Sequence, residues 1–388
     1  MMVEAAITKQ ELAADLHQHQ CDIREDRVMP VNFSIIGGAG FRAQYYLRIA
    51  RVLPELFQIG GLVVRDRAQG QEIEAAWGVQ TYRSLDELLQ NEDPDFAVVS
   101  VSGGAAMNYL YRLAEIGLPA LTETPPASSL EELEQLHKEL TVHGAWIQVA
   151  EQYPYHPVQE ARMSLIRSGR LGRITETTVS VSHLYHGAAL MRRMLGIGFE
   201  EAVIRGMRFA SSWVGGPTRS GPPVEDKLTP LQRDLAWLDF GDRLGIYDFT
   251  KDQHRSWTRS NHLSVRGERG EIFDNRVLIQ QEDLVPLQME LKRINRGEQE
   301  NAEGYYLQGI ICGEQWLYNN PFAPARLYDD ELAIASCLDK MALYAAGGPA
   351  FYGLEEASQD VYLGQLIEKA IESGEAVRTE RMCWAEGK

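Results

Sequence analysis

The feature that most constrains the fold is a regular alternation of apolar runs and helical patterns that starts at residue 31. The runs VNFSIIG, IGGLVVRD, DFAVVSVS, PALTET and WIQVAEQ each fit one buried strand, and amphipathic segments such as RAQYYLRIARVLP lie between them. Strands separated by helices of about 10–15 residues are typical of βαβ units with a parallel sheet. Because such crossovers are right-handed, residues 29–150 are predicted to form a doubly wound domain.

The pattern changes after residue 150. Strand-like segments joined by polar or Gly/Pro turns dominate residues 201–320, for example AVIRGMRFASSWV and HLSVRGERGEIF. Few helices intervene, which favours a large, mostly antiparallel open sheet with one face free to pack on helices or on another subunit. Two long helical patterns close the chain, so residues 151–388 are predicted to form a second α/β domain.

Residues 1–28 fit neither domain. They carry acids early and lack the apolar core of a secretory signal, and Met29 directly precedes the first strand pattern. We therefore expect an extension or a misassigned start. The alternative is a genuine docking helix formed by TKQELAADLHQH.

Charge and cysteine usage exclude several classes of function. The 388 residues carry 38 basic and 55 acidic side chains, for a net charge of −17. This balance disfavours nucleic-acid and anionic-lipid partners, which bind basic surfaces, and no apolar run is long enough for a membrane helix. The four cysteines form no CxxC pair, so we expect no metal cluster, no disulfide framework and a cytoplasmic location.

A glycine turn follows the first strand pattern in IIGGAGFRAQYYLRIA. Gly38-x-Gly40-x-x-Ala43 fits the G-x-G-x-x-G/A fingerprint, and a second register starts at Gly37 and uses Ala39 and Arg42. In either register, small residues and a helix N-terminus can accept a pyrophosphate. The turn predicts a Rossmann dinucleotide site that includes Phe41 and Arg42, and the alternative is a plain tight turn.

The second strand pattern ends in Val64-Arg65-Asp66-Arg67. An acid at this place can accept hydrogen bonds from the adenosine ribose, and an arginine can pair with a 2′-phosphate. Both NAD and NADP therefore remain open as cofactors. The alternative interpretation is a solvated run of charges after a strand.

The order of these motifs carries a resemblance. IIGGAGF, LVVRDRAQG, WGVQTYRSLDELL, DFAVVSVS, GLPALTETPPA, LIRSGRLGRI and HGAALMRRMLG follow one another as in the glucose-fructose oxidoreductase/inositol dehydrogenase/rhizopine catabolism (Gfo/Idh/MocA) family. The resemblance spans about residues 31–378. It implies hydride transfer between NAD(P) and a carbohydrate-like small molecule, with a second domain for substrate binding and for homodimers or homotetramers formed through its sheet.

The chain departs from the family at its catalytic motifs. The family Glu-Lys-Pro reads Glu123-Thr124-Pro125, so a neutral hydroxyl replaces the lysine. The family Pro-Asn-x-x-His is also missing, with Ser102 and Ala106 at the matching places. The resemblance nevertheless carries Ser102, Glu123 and Gln152 over as cofactor contacts.

The later family motif Asp-x-Gly-x-His is reduced to one matching residue, His186. A histidine exchanges protons readily near neutral pH, so His186 is the predicted acid/base residue. Tyr185 and His183 are weaker candidates, one of which could replace the lost lysine as a proton donor or hydroxyl-binding group. Thr124, at the place of that lysine, is a further candidate.

Three functions remain open at this point. The first is an NAD(P)-dependent oxidoreductase acting on a sugar, cyclitol or related polyol. The second is an NAD-dependent lyase or glycosidase that oxidises its substrate only transiently. The third is an inactive nucleotide-binding regulatory or structural protein, which the loss of the lysine supports. The polar and aromatic tract 251–257 suits polyol recognition, and its alternative is an exposed strand.

Overall fold

A computed structural model describes residues 29–386 apart from positions 39, 102 and 219. The predicted extension at residues 1–28 lies outside the described residues.

The first sheet has six parallel strands in the order β3-β2-β1-β4-β5-β6. The strands are β1 (Val31–Ile36), β2 (Phe57–Val63), β3 (Thr81–Tyr82), β4 (Phe96–Val99), β5 (Ala120–Thr122) and β6 (Ile147–Val149). The strand order reverses between β1 and β4, and ligands of doubly wound folds bind at the carboxyl ends of the strands beside such a reversal. The predicted Rossmann architecture is confirmed.

In the described part of the chain, five helices connect the strands of the first sheet, and three of them begin at a residue whose side chain caps the helix. The five helices are α1 (Phe41–Val52), α2 (Arg67–Trp77), α3 (Leu85–Asn91), α4 (Gly104–Glu115) and α5 (Leu130–Val142). The side chains of Asp66 and Ser84 accept the backbone N–H three residues later, and Ser129 forms a capping box with Glu132. These caps satisfy N–H groups that would otherwise lack partners at the helix starts.

The second sheet has eleven strands in the order β16-β15-β14-β13-β12-β11-β7-β10-β9-β8-β17. The strands are β7 (Ile174–Ser180), β8 (Val203–Val214), β9 (Leu228–Asp239), β10 (Leu244–Thr250), β11 (His262–Gly267), β12 (Gly270–Phe273), β13 (Arg276–Gln280), β14 (Pro286–Arg296), β15 (Tyr306–Cys312), β16 (Gln315–Asn319) and β17 (Val377–Arg378). Strands β7 and β10 pair in parallel and the other pairs are antiparallel. The predicted large, mostly antiparallel sheet is confirmed.

Four further helices follow β6 in the chain. They are α6 (Pro157–Arg167), α7 (Leu184–Leu195), α8 (Asp329–Ala345) and α9 (Leu354–Ser373). Helices α7 and α9 share one buried cluster with the second sheet, in which Met191 and Ile367 lie with Leu238. On the outer strands, Met207 and Phe209 remain exposed, so part of this sheet presents an apolar face.

Helix α8 returns to the first sheet. Its Leu338 and Met341 belong to the buried cluster that contains Phe33 and Val98 of β1 and β4. The C-terminal part of the chain therefore completes the core of the N-terminal sheet, and this packing leaves no local sign in the sequence. Among the described residues, no helix is both long and apolar enough to cross a membrane.

Candidate active site

The glycine turn connects β1 to α1. Gly37 has φ +98°, and a Cβ built on it would lie 2.4 Å from the carbonyl oxygen of Ser100. Gly40 is the N-cap of α1, and a Cβ there would meet nothing closer than 4.0 Å. The backbone conformation and packing of the protein therefore require glycine at position 37. Gly40, by contrast, leaves open space at a helix N-terminus.

The position of α1 bears on the register of the fingerprint. With Gly40 capping the helix, the third small position falls on Ala43, which is fully buried. Arg42 instead directs its side chain into a cleft. The geometry favours the register Gly38-x-Gly40-x-x-Ala43, and Ala39 lies outside the described residues.

This cleft, of about 780 Å³, opens at the carboxyl ends of the strands in the first sheet. It brings together most of the site residues predicted from sequence. They are Gly37, Gly38, Gly40, Phe41, Arg42, Arg65, Asp66, Glu123, Thr124, Gln152, Tyr185 and His186. The predicted contact Ser102 lies outside the described residues.

Arg65 and Asp66 form the end of the cleft beyond β2. One Asp66 carboxylate oxygen accepts the backbone N–H of Gln69 at 2.8 Å and so caps α2. A carboxylate has acceptor capacity beyond one hydrogen bond, so this role is compatible with a ribose contact. Arg65 is exposed beside it.

Glu123 is held at the other end of the cleft. Arg42 Nε donates to its Oε2 at 3.0 Å, and the Tyr46 hydroxyl donates to its Oε1 at 2.6 Å. Arg42 Nη2 also donates to Gln152 Oε1 at 3.1 Å. Burial opposes the charge on Arg42, but Glu123 outweighs it, and the net effect raises the pKa of the guanidinium.

His186 forms a buried pair with Glu151. Its Nδ1 lies 2.5 Å from Glu151 Oε2, and the two residues are 7% and 1% exposed. Glu151 Oε1 accepts the backbone N–H of Tyr153 at 3.1 Å, which fixes the carboxylate. A carboxylate at Nδ1 holds the proton there and leaves Nε2 as the basic atom of the neutral ring. We call Glu151 and His186 the buried dyad.

Aromatic rings surround the buried dyad. Tyr153 lies between His186 and His156, with ring centroids 4.6 Å and 5.2 Å away. Tyr185 and His183 approach the His186 ring to 4.3 Å and 5.0 Å. The rings restrict the orientation of the imidazole and combine apolar surface with polar edges.

The pKa shifts of two neighbours decide which groups can exchange protons. Burial, and then the charge of Glu151, raises the pKa of Tyr185 to about 12, and an interaction with the Thr124 hydroxyl opposes this shift. Desolvation, and then His186, lowers the pKa of His183 to about 4. Tyr185 is therefore a protonated donor and His183 a neutral ring near pH 7.

The tract 251–257 is not the exposed strand of the alternative interpretation. It forms a turn between β10 and β11. Gln253 is buried and donates to the carbonyl of Ser180 at 2.9 Å, while Trp257 is 71% exposed. Only His254 has a link to the site, through its charge effect on His183.

Glu151 is the functional candidate that the sequence prediction missed. It directly precedes Gln152, at the carboxyl end of β6, where ligands of doubly wound folds bind. That position was a usable signal. Its pairing with a residue 35 positions away had no signal in a single sequence.

A second cavity of about 680 Å³ lies between α5, α7 and the start of α9. Its buried Arg192 pairs with Asp360 at 2.9 Å and with Glu356 at 2.8 Å, and it contains none of the predicted site residues. These ion pairs connect helices α7 and α9. Across the described residues, no group of three His, Cys, Asp or Glu side chains is arranged to hold a metal ion.

Comparison with known proteins agrees with the observed fold. Residues 31–151 match the profile of an oxidoreductase family with an NAD-binding Rossmann fold, named for Gfo, Idh and MocA. The chain is 27% identical over 150 residues to an uncharacterized oxidoreductase of Rhizobium meliloti, a match that covers 37% of this chain and 43% of that protein. It is 25% identical over 151 residues to D-xylose 1-dehydrogenase (NADP+) 2 of Haloferax volcanii, covering 39% and 46%.

The likeness to solved structures extends over both sheets. An oxidoreductase from Agrobacterium radiobacter, crystallised with NAD+, L-tartaric acid and magnesium, superposes with a TM-score of 0.64 at 13% identity. The superposition covers 90% of this chain and 98% of that one. At this identity the likeness establishes the fold. The sequence matches themselves span less than half the length of the two curated relatives.

Proposed function

We propose that the chain is an NAD(P)-dependent dehydrogenase of a sugar, cyclitol or related polyol, because residues 31–151 match the profile of the Gfo/Idh/MocA family of NAD-binding oxidoreductases. The observation that carries this proposal is the buried dyad: His186 lines the cleft that begins at the glycine turn, and the buried Glu151 pairs with it. A base held next to a dinucleotide site is what oxidation of a hydroxyl requires.

The glycine turn fits a nicotinamide dinucleotide. Gly40 leaves open space in front of the N-terminus of α1, where backbone N–H groups favour a pyrophosphate. Asp66 and Arg65 would hold the adenosine end, and Glu123 and Gln152 would border the nicotinamide. The bound cofactor would supply the hydride acceptor.

His186 would take the hydroxyl proton. As the carbon–hydrogen bond of the substrate breaks and the electron pair leaves with the hydride, Nε2 accepts the proton of the hydroxyl. Glu151 accepts the hydrogen bond of Nδ1 throughout, so it orients the ring and stabilises the imidazolium that forms. In the reducing direction, the same imidazolium returns the proton.

Polar side chains around the buried dyad would recognise the remaining hydroxyls. Tyr185 and Thr124 line the cleft, and Tyr153 and His183 contact the His186 ring. Sugar hydroxyls need paired donors and acceptors beside an aromatic face, which these groups can provide. The similarity to a D-xylose dehydrogenase supports this substrate class.

The buried dyad favours chemistry over an inactive regulatory role, because a buried carboxylate beside an imidazole is costly to keep without a purpose. A lyase or glycosidase with transient oxidation would use the same residues. Net formation of reduced cofactor distinguishes it from a dehydrogenase.

The first experiment titrates the purified protein with NAD, NADH, NADP and NADPH, followed by nicotinamide fluorescence and thermal shift. We expect micromolar binding of one pair, and then hydride transfer in a screen of sugars, cyclitols and sugar acids. Binding of none of the four nucleotides would reject the proposal. Substrate turnover without accumulation of reduced cofactor would favour the lyase or glycosidase.

We also propose self-association through the second sheet. Met207, Phe209 and Trp237 are 45%, 54% and 41% exposed on its outer strands, and apolar patches of this kind commonly mark interfaces. Sedimentation velocity should show a dimer or tetramer, and charged substitutions at Phe209 should dissociate it.

The free thiols Cys312, Cys337 and Cys383 fit the cytoplasmic location that we propose.

A further inference from the structure

We propose that Arg42 is a positioning residue of the reaction centre, which locks Glu123 and Gln152 and supplies the fixed positive charge at the nicotinamide end of the cleft. This inference rests on the proposed function. Its basis is an ion pair whose members are 81 residues apart in the chain and meet inside the cleft.

The contacts of Arg42 use the directional geometry of a guanidinium. Nε and Nη2 reach two different residues, Glu123 at 3.0 Å and Gln152 at 3.1 Å. Tyr46, one helical turn further along α1, holds the second oxygen of Glu123 at 2.6 Å. The first turns of α1 therefore determine the orientation of both side chains that border the proposed nicotinamide site.

The burial of this pair makes it more than a surface contact. The Arg42 side chain is 28% exposed and that of Glu123 is 13% exposed. Charged hydrogen bonds at partly buried sites are stronger than exposed ion pairs, and losing one partner leaves the other charge uncompensated. The position of Glu123 should therefore depend strongly on Arg42.

The ion pair of Arg42 with Glu123 differs in its chemistry from the buried dyad of Glu151 and His186. A guanidinium stays charged and cannot release a proton at neutral pH, so Arg42 and Glu123 form a fixed pair. Thr124, at the place where the resemblance predicts a lysine, supplies no charge and no amine that could titrate. Proton transfer is then left to the buried dyad, and the cation is supplied by α1 instead of the strand end after β5.

The test compares Arg42→Ala, Arg42→Lys, Thr124→Lys and the double variant Arg42→Ala/Thr124→Lys in the full-length protein. Arg51→Ala is the matched control, because Arg51 lies on the same helix and contacts the carbonyl of Ala76 and the Trp77 ring outside the cleft. The measurements are the dissociation constants of NADH and ADP-ribose, the thermal unfolding midpoint, and kcat and KM against pH.

We expect Arg42→Ala to weaken NADH binding by about 10- to 100-fold, the usual worth of charged hydrogen bonds. Binding of ADP-ribose, which lacks the nicotinamide, should not change. Arg42→Lys should retain part of the affinity for NADH, since lysine keeps the positive charge but lacks the two N–H groups that reach Glu123 and Gln152. Thr124→Lys alone should give no gain, while the double variant should recover affinity beyond the sum of the single effects.

Three outcomes would overturn the inference. One is an equal loss of NADH and ADP-ribose affinity in a folded Arg42→Ala protein, which would indicate a general defect of the cleft. Another is a change in the NADH affinity of the double variant Arg42→Ala/Thr124→Lys that equals the sum of the two single effects. The third is a loss in Arg51→Ala as large as in Arg42→Ala. If the wild-type protein bound no nucleotide, the proposed function would fail and this inference with it, so the two failures are distinguishable.

Discussion

The two walls of the cleft differ in how the chain builds them. The glycine wall consists of the turn Gly37–Gly40 and the adjoining end of β2, and backbone conformation and space define it. The reaction wall consists of Glu123, Gln152 and His186, with the buried Glu151 paired to His186, and contacts between distant side chains define it. A local motif is thus sufficient to specify the first wall, whereas the second exists only after both sheets have formed.

Substitution of His186 tests the reaction wall most directly. His186→Ala removes the proposed base and should lower kcat by about 10²- to 10⁴-fold, the usual contribution of general acid–base catalysis. Nucleotide affinity should stay unchanged, because the glycine wall is intact. His143→Ala, at an exposed histidine after α5, is the control. Unchanged turnover would remove His186 from the mechanism, and a parallel loss of nucleotide affinity would mean that the walls are not independent.

Glu151→Gln examines how the reaction wall orients its base. Outer partners of functional histidines are commonly worth about 10- to 100-fold, and we expect a loss of that size in kcat. Nucleotide affinity should stay unchanged, since Glu151 contacts the imidazole and does not line the cleft. A reduced kcat with an equal loss of nucleotide affinity and a lower unfolding midpoint would indicate a structural role only.

Two glycine substitutions in the glycine wall should have different effects on protein stability and on nucleotide binding. Gly37→Ala introduces a Cβ that would lie 2.4 Å from the Ser100 carbonyl oxygen, in a backbone conformation with φ +98°. It should destabilise the protein by about 1–3 kcal/mol in denaturant unfolding. Gly40→Ala should cost less than about 1 kcal/mol at the helix N-cap.

Gly40→Ala should nevertheless weaken NADH binding by about 10-fold, because its methyl group would fill the space that a pyrophosphate needs. The opposite pattern, a destabilised Gly40→Ala with normal binding, would contradict the assignment of that space to the cofactor.

The same contrast explains what a single sequence could predict. The period of apolar residues and the caps at Asp66, Ser84 and Ser129 are local signals, so the Rossmann sheet and its helices were predictable. The glycine fingerprint is equally local. The return of α8 to the first sheet is not, because an apolar helix carries no mark of which sheet it will cover.

The candidate site shows in more detail what a single sequence cannot predict. His186 could be selected from sequence, but the Glu151 that orients it and the Arg42 contacts to Glu123 and Gln152 depend on side-chain positions after folding. The tract 251–257 shows a wrong local assignment. One interpretation of its composition was an exposed strand, yet it forms a turn in which Gln253 is buried and Trp257 is exposed to solvent.

The smallest expected effect concerns Tyr185, which lies between the two walls beside Thr124 and His186. With its pKa raised to about 12, its hydroxyl stays protonated at working pH and serves as a hydrogen-bond donor. Tyr185→Phe should therefore raise KM and lower kcat by less than about 10-fold, the cost of one hydrogen bond between neutral groups. Tyr305→Phe, at a residue that is 64% exposed, is the control.

The sign of the alkaline effect follows from the same shift. Because the folded state favours the protonated phenol, Tyr185 contributes stability below pH 10 that is lost between about pH 10 and 12, and Tyr185→Phe should lack this part of the alkaline destabilisation. A loss of kcat as large as that of His186→Ala would instead make Tyr185 the proton donor. The reaction wall would then depend on a phenol, and the buried dyad would have a supporting role.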